Sequence, residues 1–186
     1  MSNTHNKEEI FSQKPYNPFA FLQSEADCLA FVDGMIKNFQ PNEKIDNNPL
    51  HSRARCALLR AIVLYLYKEC RQRERTFANV MKLLCAAEKE NYYQSPLDVL
   101  FEDLREKDAK HKHHGFRKYM KVNLGYGEYM IYKEAPDEIA AIIIEDIENN
   151  LEAFGWIRCV RRPSVPAPYI HYMQQQARLL KKERAD

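Results

Sequence analysis

The stretch Asn48-Pro49-Leu50-His51-Ser52-Arg53-Ala54-Arg55-Cys56-Ala57-Leu58-Leu59-Arg60-Ala61-Ile62-Val63-Leu64-Tyr65-Leu66-Tyr67-Lys68-Glu69-Cys70 decides the fold. Asn48 followed by Pro49 is the chemistry of a helix start, because proline presets a helical φ where an amide donor has no partner anyway. Ala57, Leu58, Ala61, Ile62, Tyr65 and Leu66 then recur on one face, the spacing of an amphipathic helix. The pattern predicts a helix from Pro49 to about Cys70, whose apolar stripe needs other helices to cover it.

Those helices are legible on both sides. Upstream, Asn42–Asn48 reads as a polar linker, and Pro41 ends a run in which Leu29, Phe31, Val32, Met35, Ile36 and Phe39 follow the N-cap residue Ser24. Residues 1–23, with Pro15-Tyr16-Asn17-Pro18-Phe19, read as an extended arm with anchoring rings. Downstream, Thr76 caps a helix carrying Phe77, Val80, Met81, Leu83 and Leu84. Ser95-Pro96-Leu97-Asp98 is a capping box opening another helix to about Asp108. A weaker helix is predicted over Gly115–Asn123, closed by Gly125 and Gly127.

After Gly127 the pattern changes. Tyr129–Tyr132 has strand character; Pro136 opens a helix with Ile139, Ile143, Ile147, Leu151 and Phe154 in four-residue steps, and Gly155 is its expected C-cap. Trp156–Val160 reads as a second strand. Pro163, Pro166 and Pro168 break the chain before a basic helix from about Tyr169 to Arg184. The expectation is a mainly α protein: an arm at 1–23, a helical bundle at 24–127, and an α/β or helical extension at 128–186. The bundle core is expected to include Phe31, Val32, Leu58, Ile62, Leu66, Val80, Leu84, Leu100 and Leu104.

Composition narrows the function classes. The 186 residues are 45% hydrophobic and 29% charged, which suits a folded domain rather than a disordered chain. With 5 Gly and neither GxGxxG nor GxxxxGK[ST], no backbone cradle for phosphates is expected, and hence no nucleotide cofactor. No apolar run approaches the length of a membrane span. Five Cys without CxxC spacing indicate a reducing, cytoplasmic setting. The net charge of +2 conceals an asymmetry: residues 134–152 hold seven acids and no base, whereas 156–186 hold seven bases and two acids, a net +5.

Catalytic candidates are weak by comparison. Lys110-His111-Lys112-His113-His114 has no acid or Cys at ligand spacing, and its lysines repel a cation, so it reads as a solvated loop. The pairs Glu102-Asp103 and Glu145-Asp146 are expected on exposed helix faces. No nucleophile stands beside a base, so no enzyme is expected. For nucleic acid, the candidate contacts are Arg71, Arg73 and Arg75 in the turn after the long helix. In the tail they are Arg158, Arg161, Arg162, Arg178, Lys181, Lys182 and Arg184, near Tyr169 and Tyr172.

Several motifs in order carry a family resemblance: Tyr16-Asn17-Pro18-Phe19, Ser24-Glu25-Ala26-Asp27, Ala57-Leu58-Leu59-Arg60-Ala61-Ile62 with Tyr65-Leu66, Arg75-Thr76-Phe77, and Ser95-Pro96-Leu97-Asp98 with Leu100-Phe101. This series resembles the all-α domain of type IV coupling proteins of conjugative DNA transfer, in the version found on Gram-positive mobile elements. It covers about Tyr16 to Gly127, where Phe116-Arg117-Lys118-Tyr119 and Gly127 resemble the family's return toward its motor. The resemblance implies a role in receiving relaxase-bound DNA. The family's ATPase loops and membrane anchor are not among these residues, and Arg55 stands where the family has an acid. The first expectation is therefore a free-standing, non-catalytic module, or a relic of a mobile-element gene, that docks a relaxase, a relaxosome protein or the coupling ATPase. The alternative is a DNA-binding accessory or regulatory protein that uses the region from Tyr129 onward.

Overall fold

The computed structural model describes residues 17–88, 94–111 and 123–153. These form seven α-helices and, among the described residues, no strand: α1 (Glu25–Ile36), α2 (Glu43–Asp46), α3 (Pro49–Glu69), α4 (Phe77–Cys85), α5 (Pro96–His111), α6 (Leu124–Tyr132) and α7 (Asp137–Ala153). The protein is mainly α, as the helix-period patterns imply.

Each start follows from local chemistry. Ser24 Oγ accepts from the Asp27 amide, Asn48 Oδ1 from the Leu50 amide and Thr76 Oγ1 from the Asn79 amide, satisfying donors that the first helical turn leaves without an intrahelical partner. At α5 the box is reciprocal. Ser95 Oγ accepts from the Asp98 amide at 3.1 Å while Asp98 Oδ2 accepts from the Ser95 amide at 2.7 Å.

The long helix α3 is the hub, packed against α1, α2, α4, α6 and α7. Leu58, Leu59, Ile62, Leu64 and Leu66 are fully buried along it. Of the expected core, Val32, Leu58, Ile62, Leu66, Val80, Leu84, Leu100 and Leu104 are buried, while Phe31 is half-buried against that core. Phe19 inserts from the N-terminal arm and meets Phe31 and Phe77 edge-on at 5.4 and 5.1 Å, the favoured geometry for aromatic quadrupoles.

Several expectations are corrected. The Tyr129–Tyr132 run is the second half of α6, not a strand. Asn123 caps that helix, its Oδ1 accepting from the Gly125 and Tyr126 amides. Gly125 and Gly127 lie inside α6 and do not close a preceding helix. A Cβ at Gly125 would stand 3.2 Å from the capping Asn123 Oδ1, tighter than an ordinary contact, and 3.5 Å from Leu64 Cβ, so the missing side chain leaves room for the Asn123 cap. Residues 127 and 128, where the bundle was expected to end, are consecutive positions in α6, and α7 packs on α3 and α4. The linker 42–48 contains α2, which buries Ile45 completely. The arm turns through a short 3-10 helix at Pro18–Phe21 instead of staying extended there. The expected helix at 115–123 lies, but for Asn123, outside the described residues. The expected cap at Gly155, the strand at 156–160 and the basic helix at 169–184 lie wholly outside them.

Candidate functional site

The basic turn forms because α3 ends at Glu69 and a 3-10 turn, Gln72–Glu74, carries the chain to Thr76. Its arginines are not equivalent. Arg75 Nε donates to the Cys70 carbonyl at 3.1 Å, and its guanidinium lies 4.9 Å from the Tyr67 ring centroid. The Arg75 carbonyl accepts from Asn17 Nδ2 at 2.9 Å, and Tyr67 Oη donates to the Gln23 carbonyl. Arg75 thus fastens the arm to the α3–α4 junction. Arg71 and Arg73 are exposed, leaving two outward cations beside Glu74. Arg158, Arg161, Arg162, Arg178, Lys181 and Lys182 lie outside the described residues.

Three polar clusters hold the helices in register. Arg55, only 4% exposed, donates to Asp46 at 2.6 Å and to Asp146 at 3.1 Å, which joins α3 to α2 and α7. Asn42 Nδ2 donates to the other Asp146 oxygen at 2.9 Å, and Asn150 Oδ1 accepts from the Gln40 amide. Asp146 is therefore buried and paired, a correction to its expected exposure; Glu145 beside it is exposed as expected. Glu102 and Asp103 are half-buried, not fully exposed as expected.

The second cluster joins α5 to α6. Asp98 Oδ1 accepts from Tyr129 Oη at 2.8 Å and pairs with Lys133 at 2.9 Å. Burial pushes the Asp98 carboxyl up, but Lys133, the Ser95 amide and the Tyr129 hydroxyl together hold it below its ordinary value. Burial and the same carboxylate drive the Tyr129 phenol far up, so it is a permanent donor. The third cluster joins α1, α3 and α6: Arg60 pairs with Asp33 at 2.6 Å and Glu128 at 3.5 Å.

None of these arrangements resembles an activated nucleophile. Burial pushes the Cys28 and Cys56 thiols up to about 11, so at neutral pH both stay protonated. Cys56 Sγ donates to Asp33 Oδ1 at 3.7 Å, which holds the proton on sulfur. No group of three or more His, Cys, Asp or Glu suited to a metal occurs among the described residues. No described helix is long and apolar enough to cross a membrane.

Sequence reasoning overlooked the pairing roles of Asp46, Asp98, Lys133 and Asp146, of which Asp98 and Asp146 are buried; a pair such as Arg55–Asp146, 91 positions apart, leaves no local trace. One signal was present: Arg55 lies four and seven residues before Leu59 and Ile62, on the buried stripe, where a charge requires a partner. No protein-family model, curated protein or solved structure matches the chain.

Proposed function

We propose that this protein is a non-catalytic interaction module of conjugative DNA transfer, docking a relaxase, a relaxosome protein or a coupling ATPase through its helical surface. The observation that carries the reading is where the five motifs of the resemblance fall. Asn17 straps the arm to Arg75, Ser24 and Thr76 cap α1 and α4, Ala57–Leu66 is the buried stripe of α3, and Ser95-Asp98 sets α5 on α6. Every one is used as a joint of one bundle, and none is aimed at a reacting centre. Such a module contributes surface, and Leu50 and Met130, 68% and 45% exposed, are large apolar side chains available to a partner. Co-purification of the full chain with a relaxase and with a coupling ATPase tests the reading; a Leu50→Asp, Met130→Asp double variant that folds normally is expected to lose the partner.

A second reading, a DNA-binding accessory protein, is favoured by the +5 balance of residues 156–186 and by the outward Arg71 and Arg73. Phosphate contacts would make its binding fall steeply with salt, unlike docking through apolar helix faces.

A further inference from the structure

Several acidic side chains of the bundle are answered by a cation. Glu25 pairs with Lys68, Asp33 with Arg60, Asp46 with Arg55, Glu69 with Lys107 and Glu102 with Arg105. The outer stripe of α7 is different. Glu138, Glu145 and Glu152 are all exposed, have no ion-pair partner among the described residues, and stand on a helix without a single Lys or Arg. Seven-residue steps keep them on one side of the helix, roughly 10 Å apart. Glu152 also sits in the last turn, where the helix dipole is negative and no basic residue offsets it.

Beside Glu145 an open cleft of about 370 Å³ separates α2 from α7, lined in part by Asn42, Glu43, Lys44, Glu145, Asp146 and Asn149. The Asp146 carboxylate is committed to Arg55 and Asn42, whereas Glu43 and Glu145 are exposed. Glu43 and Glu145 outnumber Lys44, the one cation on this lining, and with the amide oxygens around the open cleft they suit a guanidinium or ammonium group.

The cations are supplied by the same chain. Beyond Ala153 come seven bases and two acids between residues 156 and 186, with Arg178, Lys181, Lys182 and Arg184 gathered near the end. We infer that the outer face of α7, with the cleft beside Glu145, is the docking surface for this chain's own basic segment 156–186. The segment is tethered to the helix it covers. Were it flexible, about twenty residues of chain would span roughly 25 Å, the length of α7, and the tether would present the segment at an effective concentration in the millimolar range. Docked, the cations are withheld from phosphates, and a polyanion has to compete with α7 for them. This surface belongs to the molecule whichever partner the rest of the bundle takes.

Zero-length carbodiimide crosslinking of the full chain tests the assignment, because it joins a lysine amine to a carboxylate only at ion-pair distance. Crosslinks from Lys181 or Lys182 to Glu138, Glu145 or Glu152 are expected in the monomer, fading several-fold between about 50 and about 500 mM salt as screening grows. Mixing isotopically light and heavy protein keeps those crosslinks within one copy; mixed-label products would make a second copy the occupant and overturn the assignment. The triple variant Glu138→Gln, Glu145→Gln, Glu152→Gln leaves the buried clusters intact. It is expected to bind a short single-stranded oligonucleotide about tenfold more tightly than the parent, because the intramolecular competitor is gone. Absence of the crosslinks from folded monomer, or an unchanged oligonucleotide affinity in the folded triple variant, would each overturn it.

Discussion

Arg55 Nη1 donates to Asp146 Oδ2 at 3.1 Å, across 91 positions of sequence and with both side chains about 5% exposed. With Asp46 on its other nitrogen, Arg55 ties α2 and α7 to the central helix, and its ring neighbour Phe39 lies 5.9 Å away. Its Nε is buried without a partner, so the clamp carries a desolvation cost as well as two ion pairs. Removing the cation leaves the Asp146 carboxylate buried with the Asn42 amide but without a counter-charge. Arg55→Ala is expected to cost about 3 to 5 kcal/mol in urea unfolding. The double change Arg55→Met, Asp146→Leu, which removes both charges and restores volume, is expected to recover a large part of that loss.

Ile62 is fully buried in the middle of α3. Ile62→Asp places an unpaired charge in the core and is expected to cost on the order of 3 kcal/mol or more. Circular dichroism checks it; unchanged helix content and melting temperature would contradict the core described here.

The Asp98 cluster gives stability a pH dependence of definite sign. Its folded pKa lies below the ordinary 3.8, so the ionised carboxylate contributes stability that is fully present above the ordinary value and lost as pH falls through the folded one. Asp98→Asn is expected to cost about 2 kcal/mol at neutral pH, by weakening bonds to Lys133 and Tyr129. The difference between parent and variant is expected to shrink as the pH of the melt is lowered below about 4.

Cys28 is completely buried, and its thiol is pushed up to about 11. It is expected to react with a thiol-specific reagent at neutral pH only as the protein unfolds, so labelling of Cys28 in urea tracks the unfolding curve. Rapid labelling in buffer would place Cys28 outside the core.

Local chemistry explains what the sequence reveals. The starts of α1, α3, α4 and α5 each rest on a side chain and an amide at most three residues apart, and such contacts are written in adjacent letters. α6 was misread because the aromatic run Tyr129–Tyr132 has strand propensity and its two glycines look like terminators. Tertiary packing overrides both. Gly125 leaves room for the Asn123 side chain that caps α6, and Tyr129 stacks on Phe101 at 4.2 Å. The Asn123 cap was the overlooked local signal. The polar clusters were illegible for another reason: Asp146 follows Glu145 in a row of acids, and only the three-dimensional fold separates the buried carboxylate from the exposed one.

The most direct test of the docking reading is isothermal calorimetry of the intact chain against a relaxase, a coupling ATPase and single-stranded DNA, each over a series of salt concentrations. Micromolar or tighter binding to one of the proteins with little salt dependence is expected, with only weak binding to DNA at physiological salt. Sub-micromolar, salt-steep binding to DNA with no heat on either protein would contradict it and make the basic segment the working part of the molecule.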